Sequence, residues 1–305
     1  MSDDASLIAA QHESRRRFLE LVAEIRPELH RYCARMVGSI ADGEDIVQDA
    51  LARAYYALPE METMPTLRPW LFRIAHHRAL DHLKRYDVRM REPLDSEREY
   101  AGAAPDPDDA LAQEEATRAA ITRFVDLAPA PRSAVVLKDV LGHSLEEIAN
   151  LLDLTLPAVK AALHRGRARL RESKPATREA PRAASPLVAR YAALFNARDW
   201  DGVRALLAED VRLDLVSRLR RSGKVNVGNY FSNYDRFDDW HLVPAWLDGR
   251  EVIAVYRDAQ AEQPAYFIEI AQASDGVIAI RDFRYVPYIA REARIVRIEP
   301  EPSSG

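Results

Sequence analysis

The stretch SLEEIANLLDLTLPAVKAALHRGRARL, residues 144–170, decides the fold of the middle of this chain. Ser144 and Glu147 have the spacing of a capping box, so a helix begins there. After the short turn DLT, Thr155 can cap a second helix whose first turn tolerates Pro157. Two short helices joined by a tight turn predict a helix-turn-helix, whose second helix enters the major groove of DNA.

The second of these helices is basic, although the whole chain has a formal net charge of −5. Between Asp153 and Glu172 there is no acidic residue. The helical spacing predicts an inward row of Val159, Leu163, Gly166 and Leu170. It predicts an outward row of Lys160, His164, Arg167 and Arg171, flanked by Arg165 and Arg169. A solvated helix whose dipole is complemented at its C-terminus would explain Arg169 and Arg171 but not the missing acids, so the pattern favours contact with DNA phosphates.

Length and composition limit the class of protein. A chain of 305 residues predicts two or three compact units, and 48% hydrophobic with 30% charged residues is typical of a soluble globular protein. The single cysteine, Cys33, argues against a disulfide framework and a cysteine-based zinc site. The N-terminus lacks signal-peptide order, and no apolar run approaches the roughly 18 residues of a membrane helix, so we expect a cytoplasmic protein.

Two proline-rich segments divide the chain. REPLDSEREYAGAAPDPDD and SKPATREAPRAASP show no helical or strand period and predict linkers. We therefore expect helical units at residues 15–91 and 111–172, joined by a linker at 92–110. A second linker, 173–185, leads to an α+β unit at 186–298. In that unit VRLDLVS, EVIAVYR, AYFIEIAQA and VIAIRDFRYV have the composition of strands.

The segment PWLFRIAHHRALDHLKRYDVR, residues 69–89, predicts a second basic helix. Its apolar stripe is Phe72, Ala75, Ala79, Leu83 and Tyr86. Its polar rows are Arg73, His77, Asp81 and Lys84, and Arg78, His82, Arg85 and Arg89. His77 and His82 differ by five positions and face different ways, which argues against a zinc site. Aromatic residues among basic ones suit strand separation, because an unstacked base needs a flat partner and a cationic groove.

Upstream, ADGEDIVQDALARAYYAL, residues 41–58, predicts an amphipathic helix with an acidic outer side. That side carries Asp45, Gln48, Asp49 and Arg53. Acids near a helix start complement its dipole, but Asp49 lies one turn further in, at i+4 from the like charge of Asp45. We therefore expect Asp49 to meet a partner outside the helix.

Together these three segments resemble the extracytoplasmic-function (ECF) sigma factors of bacterial RNA polymerase, over roughly Leu19–Arg171. The resemblance implies that Asp45, Gln48, Asp49 and Arg53 bind the clamp helices of the polymerase's largest subunit. It implies a minus-10 DNA-binding surface of Arg73, His77, Arg78, Asp81, Lys84 and Arg85, and a minus-35 surface of Lys160, His164, Arg165, Arg167 and Arg169.

The sequence departs from the family at four informative positions. His77 stands where asparagine is frequent, beside the pocket for a flipped-out base. Ala158 and Ala162 replace a common threonine and arginine, so the promoter consensus does not carry over from relatives. Asp153 stands at a turn glycine, and aspartate tolerates the left-handed conformation better than most residues.

The third unit, beginning LVARYAALFNARDWDGVRALLAEDVRLDLV, resembles the cone-shaped α+β fold of nuclear transport factor 2 and the SnoaL-like cyclases. The fold class is thus multidomain: two all-α domains followed by an α+β cone. Asp214 or His241 could serve as a general base there, but no second catalytic partner has a defined spacing, so we expect no enzyme activity and no cofactor. The aromatic residues are expected to form core rather than a ligand site: Tyr191, Phe195, Trp200, Trp246 and Tyr256.

The sequence therefore predicts a sigma subunit that binds core RNA polymerase and promoter DNA. We expect its cone to regulate activity by contacting the sigma domains within the same chain, partly through the terminal segment VIAIRDFRYVPYIAREARIVRI, expected to be a strand. Two alternatives stay open: a stand-alone helix-turn-helix regulator with a ligand-sensing cone, and a cone-fold enzyme fused to DNA-binding domains. The first leaves the acidic helix and PWLFRIAHH unexplained; the second predicts turnover by the cone.

Overall fold

The computed structural model describes residues 2–58, 65–90, 113, 116–117, 119–173, 183–234 and 240–298. The chain forms two compact units, residues 1–177 and 178–305. Most of both predicted linkers, at residues 91–112 and 174–182, lies outside the described residues.

The first unit is helical throughout its described part. Its helices are α1 Ser2–Val37, α2 Ile40–Ala57, α3 Leu67–Met90, a 3-10 helix Ile121–Asp126, α4 Pro129–Val135, a π-helical turn Val136–Val140, α5 Leu145–Leu152 and α6 Leu156–Glu172. Helix α1 ends at Val37 because Gly38 takes a φ of +75°, which L-residues with a side chain rarely adopt. Ser39 then caps α2, its hydroxyl accepting a hydrogen bond from the Asp42 backbone N–H at 3.2 Å.

One continuous hydrophobic core runs through this unit. It joins residues of α1–α3, such as Tyr32, Val47 and Phe72, to residues after the first linker, such as Phe124 and Leu163. The two helical units expected from the sequence therefore share a core. Gly166 allows the close packing of α6 on α4, because a Cβ there would lie 2.8 Å from the carbonyl oxygen of Pro131.

The second unit is a seven-stranded open sheet with helices. The strands are β1 Leu207–Leu215, β2 Leu219–Ser222, β3 His241–Leu247, β4 Arg250–Tyr256, β5 Tyr266–Ala273, β6 Gly276–Asp282 and β7 Val296–Arg297, in the order β2-β1-β6-β5-β4-β3-β7. The helices are α7 Pro186–Asn196, α8 Trp200–Ala205, α9 Lys224–Tyr230, a 3-10 helix Phe231–Asn233 and α10 Tyr288–Glu292. All pairs are antiparallel except β1 with β6. The predicted class, two helical regions followed by a helix-and-sheet domain, is confirmed.

The sheet has an inner face, packed on α7, and an outer face. Register and alternation put Leu215, Ile268 and Asp282 on the inner face, because Asp282 pairs with both of the other two. Leu215 and Ile268 belong to a core shared with Tyr191 and Phe195 of α7. These two aromatic residues are core, as predicted; Tyr256 is also buried, whereas Trp200 and Trp246 are half-buried.

The prediction for the terminal segment was wrong. VIAIRDFRYVPYIAREARIVRI does not form one strand: β6 ends at Asp282, and α10 and the short β7 follow. Phe283 stacks on Phe267 with ring centroids 4.4 Å apart, and Ile289 is fully buried. Apolar residues in the middle of the segment therefore pack within this unit, which the alternation alone did not reveal.

Candidate polymerase and promoter interface

Helix α2 presents its predicted acidic side outward. Ile46, Val47, Ala50 and Ala54 are buried as expected, while Leu51 and Leu58 are half-buried. Asp45 and Arg53 are exposed, and Gln48 and Asp49 are half-exposed. The four predicted polymerase-binding residues thus share one accessible surface, at the spacing of one helix face.

The acid on this helix that is not accessible is Glu44. It is fully buried, forms an ion pair with Arg26 of α1, and accepts a hydrogen bond from the Gln48 amide at 3.4 Å. Glu44 therefore fastens α2 to α1 and positions Gln48. The sequence offered no signal for this role, since Glu44 reads as one more acid of a helix start.

The predicted minus-10 residues lie along α3. Arg73, His77, Lys84 and Arg85 are exposed, and Arg78 and Asp81 are half-buried. The Arg78 guanidinium pairs with Asp49 of α2 and, at 2.8 Å, with Asp81. Asp49 also pairs with Arg53 at 3.3 Å. These ion pairs therefore join the expected polymerase-binding surface to the expected minus-10 surface. Arg78 of α3 is thus a partner of Asp49 outside its own helix and within the same protein.

His76, between α1 and α4, is a residue that sequence reasoning missed. Its Nδ1 lies 2.7 Å from the Tyr32 hydroxyl and 3.5 Å from the Ser133 hydroxyl. Burial lowers the pKa of His76 to about 4, with a further contribution from the neighbouring His77. At neutral pH the imidazole is therefore uncharged. The helical pattern of this segment assigned His76 neither to the apolar stripe nor to a polar row, so nothing in the sequence singled it out.

The helix-turn-helix has the predicted local chemistry. Ser144 and Glu147 form the capping box, with distances of 3.1 and 2.7 Å for its two hydrogen bonds. Asp153 takes the left-handed conformation (φ 56°, ψ 47°) and ends α5. The Thr155 hydroxyl accepts from the Ala158 backbone N–H, and Pro157 lies in the first turn of α6. These predictions are confirmed.

Four of the five predicted minus-35 residues face solvent. Lys160, His164, Arg165 and Arg169 are exposed on α6. Placing Arg167 on the outward row was wrong: its side chain is buried and binds Asp139. Helix α6 packs against neighbours over a wider arc than the inward row suggested, and Asp139 in the π-helical turn supplies a buried charge partner. Arg171, by contrast, is exposed as predicted.

Polar contacts reinforce the core that joins the two helical regions. Arg132 of α4 is buried and donates to the carbonyl oxygens of Met36, Val125 and Leu127. The Tyr32 hydroxyl donates to Ser133 at 3.2 Å, and Arg73 donates to the carbonyl oxygen of Asn150 at 3.1 Å. Because the buried donors of Arg132 and Tyr32 are costly to leave unpaired, their bonds specify how the two regions fit together, and the exposed Arg73 adds a surface contact.

The carboxylate of Glu28 and two basic side chains form a further link between the same regions. Glu28 of α1 lies 3.2 Å from His143 Nε2 and pairs with Arg68 of α3. Burial raises the pKa of Glu28, but the hydrogen bonds from His143 and Arg68 outweigh it and leave the pKa below its usual value. The carboxylate therefore stays ionised at neutral pH.

In the second unit, the two candidate general bases both lie on the outer face of the sheet. Asp214 pairs in register with Arg281, whose side chain points away from the inner face, and it forms an ion pair with Arg220 at 3.3 Å. His241 pairs in register with Tyr256, also on the outer face. Arg212 and Asp214 share that face as predicted. The buried carboxylate of the unit is Asp282, which the sequence analysis did not single out.

Comparison with known proteins matches two family models. Residues 21–89 match Sigma-70 region 2, and residues 121–170 match Sigma-70, region 4. The first match covers α2, about the C-terminal half of α1 and most of α3. The second match contains α5 and the turn of the helix-turn-helix and ends within α6, at residue 170. The surfaces described above therefore lie inside the two matched regions.

Two curated relatives are sigma factors that match a little over half of this chain. The chain is 30% identical over 168 residues to the ECF RNA polymerase sigma factor SigM of Mycobacterium tuberculosis, covering 55% of this chain and 82% of SigM. It is 32% identical over 206 residues to SigG of that species, covering 58% of this chain and 55% of SigG. The chain thus spans little more than half the length of SigG. The crystal structure of the M. tuberculosis ECF sigma factor SigJ aligns over 87% of this chain and 95% of SigJ, with 22% identity and a TM-score of 0.36.

A helical unit with an accessible acidic helix, a basic second helix and a helix-turn-helix, matched by both Sigma-70 regions, defines a sigma-type transcription factor. The chain belongs to the ECF family of RNA polymerase sigma factors. Within the part of the chain that the structure describes, no helix is both long and apolar enough to cross a membrane.

Proposed function

We propose that this chain is a sigma subunit, which binds core RNA polymerase and directs it to a limited set of promoters. One observation carries the proposal: a helix-turn-helix with an exposed basic row and a helix with an exposed acidic row occur in one unit, at the positions of the two matched regions. A protein that bound DNA alone would not need the acidic row. Its work is binding and strand separation, not covalent catalysis, in the compartment that holds the polymerase.

Asp45, Gln48, Asp49 and Arg53 form the proposed polymerase contact. Asp45 is the sharpest probe, because it is exposed, whereas Asp49 also holds Arg53 and Arg78. Proposed minus-10 contacts are Arg73, His77, Arg78, Asp81, Lys84 and Arg85. Proposed minus-35 contacts are Lys160, His164, Arg165 and Arg169, whereas Arg167 supports α6 from inside.

The packing of the two helical regions sets a condition on this function. Elements at minus-10 and minus-35 are about 25 base pairs apart, or roughly 85 Å at 3.4 Å per base pair. Helices α3 and α6 lie in one compact unit with a shared core and both contact α5. The described packing is therefore a closed state, and the two regions separate when both elements are bound.

The test is transcription by core polymerase, with and without the full chain, on genomic templates with mapped start sites. New start sites that depend on the chain support the proposal. The Asp45→Arg variant should lose most of this stimulation and bind core polymerase more weakly, while Glu24→Arg, a matched acid on α1, should behave as wild type. Promoter binding that needs no polymerase and is unaffected by Asp45→Arg would favour the stand-alone regulator.

The second unit is proposed to regulate this activity through contact with the sigma domains. Run-off transcription would compare the full chain with one ending near residue 174. A change in promoter use with retained polymerase binding supports regulation. Equal activity at every promoter would reject it, and small-molecule turnover by the second unit would favour the enzyme alternative.

A further inference from the structure

Strand β2 and the residues beside it carry a run of cations that the proposed function does not use. Between Asp214 and Asp235 there is no acidic residue, although the whole chain has a formal net charge of −5. Four basic residues fall in that interval, and one more precedes it on β1. We call this set the basic edge: Arg212, Arg218, Arg220, Arg221 and Lys224.

Most of the positive charge of the basic edge faces solvent. Its four arginines are exposed, and its lysine is half-buried. Two acids offset part of the charge: Asp214 pairs with Arg220 at 3.3 Å, and Glu209 pairs with Lys224 at 3.6 Å. Three of the cations form no ion pair with any residue that the structure describes: Arg212, Arg218 and Arg221.

Backbone donors lie along the same edge. Strand β2 ends the seven-stranded sheet and has β1 as its neighbour there. The Gly223 N–H donates to the Val211 carbonyl at 2.9 Å, which fixes the alternation of this antiparallel ladder. Every second residue of β2 therefore bonds to β1, whereas Arg220 and Ser222 direct their backbone N–H groups out of the sheet.

Arg218 is oriented by its surroundings. Its backbone N–H donates to the Leu215 carbonyl at 2.8 Å, which closes the turn between β1 and β2. Its guanidinium carbon lies 5.6 Å from the ring centroid of Tyr285, which is 43% exposed. Because this contact restricts the side chain, less conformational entropy is lost when the guanidinium binds an anion.

Protection of an edge strand does not account for this pattern. Charged residues on an edge discourage pairing with another chain, but that role does not require a single sign. Here every charge on β2 and on the turn before it is positive, in a chain that is acidic overall. A surface of one sign favours a partner of the other, and arginine suits phosphate because its guanidinium can meet two phosphate oxygens at once.

Duplex DNA is the phosphate-bearing partner that the rest of the chain favours, and this choice rests on the proposed function. The chain from Glu172, where α6 ends, to Pro186, where α7 begins, spans at most about 50 Å. When α6 is bound in a major groove, the second unit is therefore held at a high local concentration beside the same duplex.

We propose that the basic edge binds the phosphate backbone of duplex DNA, as a third DNA contact besides the minus-10 and minus-35 surfaces. The guanidinium groups of Arg218 and Arg221 pair with phosphate oxygens. The outward N–H groups of Arg220 and Ser222 donate to the same backbone. Contacts with phosphates carry no sequence information directly, so the basic edge adds affinity without narrowing the choice of promoter.

The experiment measures binding of the full chain, without polymerase, to a duplex that lacks promoter sequence, by fluorescence anisotropy between about 50 and 200 mM salt. The double variant Arg218→Gln, Arg221→Gln should lose two phosphate contacts, which reduces the slope of log affinity against log salt by about 1.8. The advantage of wild type over this variant should therefore shrink about tenfold across that range of salt.

The matched control is the double variant Arg190→Gln, Arg291→Gln. It removes the same net charge from exposed positions on α7 and α10, so it should keep the wild-type slope. All four substitutions are at exposed positions, so both variants should keep the wild-type unfolding midpoint. Equal slopes for the two double variants would overturn the proposal, and so would a wild-type chain that does not bind the duplex at the lowest salt.

A second arm tests an anionic membrane as the partner, with vesicles of phosphatidylcholine that contain phosphatidylserine. Loss of vesicle binding by Arg218→Gln, Arg221→Gln, with an unchanged DNA slope, would overturn the proposal in favour of a membrane. Because no polymerase is present, this result is separate from the transcription test. Failure of the chain to direct transcription would reject the proposed function, whereas an unchanged DNA slope would reject the basic edge alone.

Discussion

Arg167 of α6 makes two hydrogen bonds to the carboxylate of Asp139, which precedes the helix-turn-helix: Nε is 2.9 Å from Oδ2 and Nη2 is 2.6 Å from Oδ1. Both side chains are buried. Their geometry is the bidentate one that makes arginine–carboxylate pairs specific. The pair fixes the position of α6 on the π-helical turn Val136–Val140, and hence the position of the exposed basic row.

Arg167→Ala should destabilise the first unit by about 3–5 kcal/mol, because it leaves the Asp139 carboxylate buried and unpaired. Urea unfolding of the full chain, followed by the helical circular dichroism signal, measures this. The control is Arg165→Ala on the same helix, which should shift the free energy of unfolding by no more than about 0.5 kcal/mol. Equal stability of the two variants would show that the buried pair does not hold α6.

Lys160→Ala and Arg165→Ala should each weaken promoter binding by the holoenzyme and reduce the slope of log affinity against log salt by about one. Both residues are exposed on α6. Arg190→Ala, an exposed arginine on α7, is the control and should leave the slope unchanged. A change in sequence preference without a change in slope would assign the residue to a base instead of a phosphate.

Lowering the pH from 6.5 to 4 should destabilise the first unit through His76. Its pKa is about 4 in the folded chain and 6.5 in the unfolded chain, so the unfolded chain binds the proton first. The stabilisation is complete above pH 6.5 and is lost as pH falls towards 4, by at most about 3 kcal/mol.

His76→Gln removes this titration, and the difference in unfolding free energy between wild type and variant, measured from pH 4 to 7.5, isolates it from the carboxylates. His77→Gln, an exposed neighbour, is the matched control. A difference that does not vary with pH would rule out His76 as the titrating group.

A disulfide between Gly38→Cys and Val125→Cys should lock the closed state. A Cβ at Gly38 would lie 3.7 Å from the Cβ of Val125, within the range of about 3.5–4.5 Å that disulfides require. The φ of +75° at position 38 adds strain of about 1–3 kcal/mol, which the closed state must tolerate. The oxidised chain should fail to initiate transcription, and reduction should restore it.

The reduced form of the double-cysteine chain is thus the control for its oxidised form. The one natural cysteine, Cys33, is buried. Full activity of the oxidised chain would mean that the two regions need not separate, and the closed-state argument would fail.

Asp282→Asn should stabilise the second unit at pH 7.5. The pKa of Asp282 is raised from 3.8 to about 6, so its favourable contribution is complete below pH 3.8 and is lost as pH rises through 6. Removing the buried charge should therefore gain up to about 3 kcal/mol at pH 7.5 and little at pH 4. Thermal unfolding followed by tryptophan fluorescence measures this, with the half-exposed, ion-paired Asp214→Asn as control. A loss of stability at both pH values would indicate that the carboxylate is needed for packing.

The sequence alone determined the local elements. The capping box at Ser144, the left-handed Asp153 and the cap at Thr155 depend on residues within three or four positions, so their spacing is sufficient evidence. The strands β1, β4, β5 and β6 were recognised by composition. Strand β3, HLVPAWL, was missed because Pro244 interrupts its pattern; the proline is tolerated opposite β7, where its carbonyl accepts from Ile298 N–H at 2.9 Å.

Only the tertiary structure decided which polar residues are buried and with what partner. Asp139 and Arg167 are 28 positions apart, Tyr32 and His76 are 44 apart, and Tyr234 and Asp282 are 48 apart. No periodicity links residues at such separations, because each partner's position depends on how whole elements pack. The exposed rows of α2, α3 and α6 could be predicted because solvent is their common environment. The environments of the buried Arg167 and Asp282 and of the half-buried His76 could not, since a charge is stable inside a protein only where the fold brings a partner to it or shifts its pKa.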